Sequence, residues 1–303
     1  MGEDAAVIDM GDRYLVAKTD PITFASEEIG WYAVNVNAND IAVMGAEPRW
    51  FLATILLPQE KATRALAEAI YSQIAGACDQ LNVVLAGGHT EITVGLDRPI
   101  ISGCMLGEVA PKCLVRSTGM QPGDNLLLAR GVPIEGTAII AREKEQDLLA
   151  KGYDVNLIRR AQDFLHEPGI SIVAAAHLAV QSAHVHAMHD PTEGGLATGI
   201  WEMTQASGVG LAVDFDAVAV APESLAMCQA YGLDPLGTIA SGALLLACSE
   251  QQTPQLLTAF QQAGIPATVI GQATAQPDQL RARRYGRWGP FPHFVADEIA
   301  HIF

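Results

Sequence analysis

The chain has 303 residues, half of them hydrophobic, and a formal net charge of −16 from 34 acidic and 18 basic side chains. That length suits one large domain or two ordinary ones, and that apolar fraction supplies sizeable cores and excludes general disorder. The acidic balance excludes a nucleic-acid binder that works by neutralising phosphates with Lys and Arg; it leaves room for a nucleotide held by backbone N–H groups and metal ions. No apolar run approaches the roughly 18 residues of a membrane span, and no signal-peptide pattern is present. Five cysteines, Cys78, Cys104, Cys113, Cys228 and Cys248, are widely spaced and never form C-x-x-C. They suit a reducing cytoplasm better than a disulfide framework or a zinc site. A cytoplasmic protein with neither a membrane nor a nucleic-acid partner is expected.

The first stretch alternates strands and helices. A strand is predicted over 13–19, ending at Asp20-Pro21, and a helix over 28–44, stopped by Gly45-Ala46-Glu47-Pro48. A strand follows at 49–57, and the clearest helix, rich in Ala and Leu, is expected over 59–80. Strands at 82–86 and 99–109 follow, the first leading into a Gly87-Gly88-His89-Thr90 turn. Pro111, Gly119, Pro122 and Gly123 cluster in a break, which places a domain boundary there, with domains at 1–118 and 119–303. The second part opens with a strand at 125–130, followed by helices near 134–144, 154–165 and 170–181. A strand at 183–188 runs into the His189–Gly195 loop, and a helix starts near Leu196. Further strands are predicted near 209–214, 243–248 and 267–272, with a helix near 252–263. The alternation lacks a uniform parallel βαβ rhythm, so an α+β or mixed α/β architecture is expected and not a TIM barrel.

Four aspartates occupy short motifs: Asp4 in G-E-D-A-A-V, Asp20 in K-T-D-P, Asp40 in N-A-N-D-I-A-V-M-G-A and Asp190 in H-D-P-T-E-G-G-L. Carboxylates at strand ends and helix starts can hold magnesium against a polyphosphate. Asp40 and Asn39 would project from an otherwise apolar helix, on which Asn35 and Asn39 share a face. Asn and Asp are mediocre helix formers, and a buried Asp needs a partner or a metal. An exposed polar face is the alternative. In the Asp190 loop, Thr192 or Glu193 can cap the following helix, and Gly194-Gly195 lets backbone N–H groups approach a ligand, as at phosphate-binding helix N-termini. An ordinary capped turn is the competing reading. The Gly87–Thr90 segment reads equally as a ligand-approach loop or a hairpin, and Asp4 and Asp20 are weak signals alone.

His177, His184, His186 and His189 fall in one short stretch, with His184 and His186 on one strand face by the period of two. A transition-metal site competes there with core, surface or supporting histidines. Arg281, Arg283, Arg284 and Arg287 read as a solvated loop, an inter-domain salt-bridge donor or a phosphate patch.

Taken in order, the motifs G-E-D-A-A-V, T-D, N-D-I-A-V-M-G-A-E-P, G-G-H-T, S-T-G-M-Q-P-G-D, G-V-P-I-E-G-T-A and H-D-P-T-E-G-G-L-A-T resemble the aminoimidazole ribonucleotide (AIR) synthase, or PurM-like, ATP-binding superfamily over nearly the whole chain. The last segments look most like its HypE-type hydrogenase-maturation branch and AIR-synthase-related paralogues. The resemblance implies an N-terminal α/β domain that forms a homodimer through a shared β-barrel, an α+β C-terminal domain, and ATP bound with Mg2+ in the groove between them. It implies that Asp4, Asp20, Asp40 and Asp190 are the metal and phosphate-site aspartates. Thr19, Asn39, Gly87, Gly88, His89 and Thr90 would line the phosphates, with Thr192, Gly194 and Gly195 contributing from the second domain. The implied chemistry is activation of an amide or phosphate oxygen, or direct phosphoryl transfer.

Three features depart from the family pattern. Relatives carry a glycine-rich segment ahead of the first aspartate, whereas this sequence starts at Gly2-Glu3-Asp4, so a shortened chain or a branch without that lid is expected. HypE-type enzymes end in a cysteine that carries a thiocarboxamide, whereas this sequence ends His301-Ile302-Phe303; that dehydration is not expected unless another thiol substitutes. His89 stands where kinases and HypE-type proteins have Asp, which weakens a thiamine-monophosphate-kinase reading. The reactive Cys or selenocysteine and Lys of selenophosphate synthetases are absent. The leading expectation is a HypE-like ATP-dependent enzyme with an unassigned substrate. The competitors are a non-catalytic ATP-binding partner in a maturation complex, a thiamine-monophosphate-kinase-like phosphotransferase, and a metal carrier built on His184, His186 and His189.

Overall fold

The computed structural model describes residues 4–303, so Gly2 and Glu3 of the first motif lie outside the described residues. The chain divides into two compact units, one spanning Ala5–Leu114 and the other joining Asp4 to Val115–Phe303. No helix among the described residues is long and apolar enough to cross a membrane.

The unit Ala5–Leu114 contains β1 (Ala6–Asp9), β2 (Tyr14–Ile22), α1 (Ile29–Val43), β3 (Glu47–Pro58), α2 (Arg64–Gln80), β4 (Val84–Thr93) and β5 (Ile100–Val109). Its sheet has the order β1-β2-β5-β3-β4. Every pairing is antiparallel except β3 with β4, whose parallel alignment is made possible by the crossover through α2. β5 alternates buried and half-buried residues, with Ile101, Met105 and Val109 on the covered face. Helix α1 is buried at every position but Trp31, so packing and not propensity holds it helical. Helix α2 buries Ile70, Ile74, Ala77 and Cys78, one stripe of an amphipathic helix. It starts five residues later than the composition predicts, because Thr63 is extended and its side chain caps the helix by accepting the Leu66 N–H at 3.1 Å.

The expected turn at Gly87-Gly88-His89-Thr90 does not occur. β4 runs straight through these residues as an edge strand, and a register shift opposite Phe51/Leu52 absorbs Ala86. Gly88 is required by close approach, since a Cβ there would lie 2.0 Å from the Ala53 carbonyl oxygen. Gly88 therefore marks tight strand contact here and not chain reversal.

The second unit contains β6 (Asn125–Ala129), α3 (Ile134–Glu143), α4 (Glu145–Ala150), α5 (Val155–Asp163), α6 (Val173–Ser182), β7 (Ala187–His189), α7 (Gly195–Ser207), β8 (Gly210–Asp214), α8 (Pro222–Tyr231), β9 (Leu244–Cys248), α9 (Thr253–Gln262), β10 (Ala267–Thr274), β11 (Leu280–Arg284) and β12 (Arg287–Pro290). The sheet order is β12-β11-β8-β10-β6-β9-β7, with β11 and β8 parallel and the other pairings antiparallel. β9 is buried at all five positions, as expected of an apolar run inside a sheet. Leu126, Leu128, Leu196, Ile200, Leu245 and Ile270 belong to its continuous core. β1, α4, α8 and the β11–β12 hairpin went unread in the sequence.

The arginine run forms that hairpin and not a loop. Arg283 pairs with Asp214 at 2.8 Å, and Arg284 grips Asp234 with two hydrogen bonds of 2.6 and 2.8 Å, all within one unit.

Candidate functional site

The burial of α1 gives its polar residues their meaning. Asn35, Asn37, Asn39 and Asp40 are all buried, so the exposed-face reading of this helix does not hold. The amides of Asn35 and Asn37 turn back onto the carbonyls of Trp31 and Ala33, at 2.9 and 2.8 Å. Asp40 instead meets a cation: Lys18 Nζ lies 2.8 Å from its Oδ1 and 3.9 Å from Asp20 Oδ2. The pairing follows from local geometry. Lys18 and Asp20 are two apart on β2 and face the same side, towards the packed α1. Thr19 faces the other way and donates its hydroxyl to the Gly103 carbonyl at 2.7 Å, so the structure does not bring it to the carboxylates. Sequence reasoning missed Lys18, although the K-x-D spacing carried the signal.

In the second unit Asp4, His189 and Asp190 converge, each offering a ligand atom within 4.8 Å of the others. His189 ends β7, and Asp190 opens the loop that leads to α7. His189 Nδ1 lies 2.7 Å from Asp4 Oδ1, and Glu202 Oε2 approaches its Nε2 to 3.3 Å. Burial alone would depress the imidazole, but Asp4, with Glu202 and Asp190, outweighs burial and holds its pKa well above the ordinary range. Asp4 Oδ2 is buried with no hydrogen-bond partner among the described residues. Carboxylate oxygens are hard donors suited to magnesium; an imidazole is a softer one, so His189 fits better as a neighbour of Asp4 than as a magnesium ligand. The two aspartates and the open oxygen of Asp4 therefore fit a divalent ion.

The loop after Asp190 differs from a side-chain-capped turn. Gly194 is itself the N-cap, in the left-handed conformation, and neither Thr192 nor Glu193 caps α7. Gly195 is left-handed too, with Leu236 and Thr238 backbone atoms 2.7–2.8 Å from where its Cβ would lie. Both glycine N–H groups are already engaged: Gly194 donates to Asp297 Oδ2 at 2.7 Å and Gly195 to the Thr192 carbonyl at 3.0 Å. Their role on this geometry is to shape the loop. Asp297 also accepts the Ile299 N–H at 2.8 Å, and burial raises its pKa. Nearby Glu135 is almost wholly buried, and burial, with the charges of Glu193 and Asp297, pushes it up to about 8.

The remaining histidines do not join this group. His184 and His186 precede β7 and are not part of a strand. His186 Nδ1 lies 2.9 and 2.8 Å from the two Asp124 oxygens, with the His184 ring set edge-on at 5.1 Å. Among the described residues, the group with metal-ligand spacing is Asp4, His189 and Asp190; it takes in His189 but neither His184 nor His186 of the competing carrier reading. Gly87, Gly88, His89 and Thr90 line a cavity of about 300 Å³ together with Tyr71 and Ile74 of α2. His89 is exposed there and lies 3.9 Å from Glu91.

Two sheet-and-helix units, each with its own buried acidic group, have the architecture of the PurM-like two-domain proteins. A HypE solved in complex with HypF superposes with a TM-score of 0.78 at 20% identity, covering 96% of this chain and 93% of that one. A HypE solved in complex with ATP gives 0.73 at 22% identity, covering 92% and 85%. The chain belongs to the AIR synthase related protein family, whose N-terminal domain matches residues 2–109 and whose C-terminal domain matches residues 121–281. Among its relatives, the carbamoyl dehydratase HypE of Cupriavidus necator is 31% identical over 86% of this chain and 72% of that protein.

Proposed function

We propose that this protein is a HypE-like, ATP-dependent enzyme that binds ATP with magnesium through Asp4, Asp20, Asp40 and Asp190. The observation that carries this reading is the convergence of Asp4, His189 and Asp190 around a buried carboxylate oxygen with no hydrogen-bond partner among the described residues. Membership of the AIR synthase related family supports it, as does the likeness of fold to a HypE solved with ATP. Magnesium there would neutralise phosphate charge and favour attack on phosphorus. The chain's own residues then hold and orient the nucleotide. Asp4, Asp20, Asp40 and Asp190 would supply the oxygen ligands of the ion. Asn39 and the Gly87–Thr90 strand are assigned to the phosphates, and Thr192, with the loop shaped by Gly194 and Gly195, to the same anion. The activated atom is an oxygen of an acceptor that the phosphate motifs do not define.

Calorimetry tests the reading. ATP should bind with magnesium and lose at least about tenfold in affinity, roughly 1.4 kcal/mol, after Asp40→Ala or Asp190→Ala. No binding by the wild type, or unchanged binding by both variants, sinks it.

A second reading, a nucleotide-binding partner protein in a maturation complex, is supported by the HypE solved in complex with HypF. ATP binding without turnover across a panel of acceptors would favour it. A homodimer belongs to both readings; exposed Leu52 on β3 and Val84 on β4, on one face of the sheet, support it. A cytoplasmic location fits the five free cysteines.

A further inference from the structure

The ion pair on β2 has a consequence for metal binding. Asp40 projects from a helix whose neighbouring positions are fully buried, and its side chain is only 6% exposed, against 24% for Lys18 and 30% for Asp20. A carboxylate so placed is strongly unfavourable without a countercharge. Lys18 provides one, its ammonium 2.8 Å from Asp40 and 3.9 Å from Asp20, so one ammonium faces both acids.

We propose that Lys18 is the resident counter-cation of the Asp20/Asp40 pair, and that a divalent ion binds this pair only by displacing its ammonium. The proposal rests on the reading of Asp20 and Asp40 as metal ligands. The ammonium already engages the Asp40 oxygen at 2.8 Å, and its positive charge repels a divalent ion brought to the same carboxylates. In a half-buried site the repulsion between ammonium and metal is far stronger than in water. The lysine can yield, because its ammonium rides on a flexible four-carbon stem and its outer end reaches solvent. The pair is thus stabilised in the metal-free protein, and the same contact sets a threshold for loading.

The test uses the full chain and Mn2+ without nucleotide, with free Mn2+ read by electron paramagnetic resonance. The relevant class of sites is the one abolished by Asp40→Ala. Lys18→Met should bind Mn2+ at this class about tenfold more tightly than the wild type, equivalent to roughly 1.4 kcal/mol. Lys18→Arg keeps the charge and should show no such gain. Equal or weaker Mn2+ binding by folded Lys18→Met, or an equal gain in Lys18→Arg, overturns the proposal. Should Lys18→Met not fold, the wild type answers alone. Acetylation of the Lys18 amine, followed by mass spectrometry, should speed up on adding Mn2+, and an unchanged rate overturns the proposal. An ATP titration on the wild type is read separately: its failure removes the nucleotide function and leaves the Mn2+ result standing.

Discussion

His189 Nδ1 and Asp4 Oδ1 stand 2.7 Å apart although 185 positions separate them in the chain. Both side chains are nearly buried, at 11% and 8% exposure, and the Asp4 carboxylate helps keep the buried imidazole protonated. Asp4→Ala removes the nearest carboxylate from a buried, protonated imidazole. Breaking a buried pair by deleting one partner costs about 3 kcal/mol. Urea unfolding near neutral pH should show a loss of that order, with Asp4→Asn losing less.

Asp297 ties the Asp190–Gly195 loop to the segment near the chain's end, through the Gly194 and Ile299 N–H groups. Asp297→Ala leaves the buried Gly194 N–H without its acceptor, at a cost of about 1–3 kcal/mol. Hydrogen exchange followed by mass spectrometry should show faster exchange over residues 190–200, with β9 unchanged. Equal protection in variant and wild type would show that the loop holds its shape without Asp297.

Glu135 makes stability depend on pH in a defined direction. Burial raises its folded pKa to about 8, against about 4.5 for an ordinary glutamate. Between these values the folded state holds a proton that the unfolded state has lost. Its contribution is therefore fully present below about pH 4.5 and is lost as pH rises through about 8. Glu135→Gln, neutral at every pH, should flatten this part of the profile. The difference in Tm between variant and wild type should grow in the variant's favour from pH 5 to pH 8, and a constant difference would count against the buried acid.

Gly88→Ala tests the close pairing of β3 and β4. The new methyl would meet the Ala53 carbonyl oxygen at 2.0 Å, a backbone atom that cannot rotate away. β4 must shift outward, and overpacking of this kind costs about 1–3 kcal/mol. A thermal melt should register the loss, and the cavity lined by Gly87–Thr90 should change with it.

How much of this was legible depended on range. The amphipathic stripe of α2 and the apolar strand β9 were readable because their periodicity is local. Burial of Asp40 was inferable from the apolar residues around it. Its partner Lys18 could have been found from the two-residue spacing to Asp20, but pairing of β2 with α1 is a tertiary fact. The meeting of Asp4 with His189 leaves no local trace at all. Gly87-Gly88 misled because paired glycines report only that a Cβ is unwelcome, not whether a turn or a neighbouring strand is the cause. Arg283 and Arg284 of β11 misled because their countercharges, Asp214 and Asp234, lie far off in sequence.

Asp4 groups with Val115–Phe303, although Ala5–Leu114 comes between them in the chain. One unit is therefore inserted into the other, and cutting the gene in sequence order would split the acidic group. A fragment beginning at Val115 would keep His189 and Asp190 and lose the carboxylate that faces them. Any dissection into separately expressed halves must carry the Asp4 segment with the second half, for instance by circular permutation, or the fragment reports on an incomplete centre.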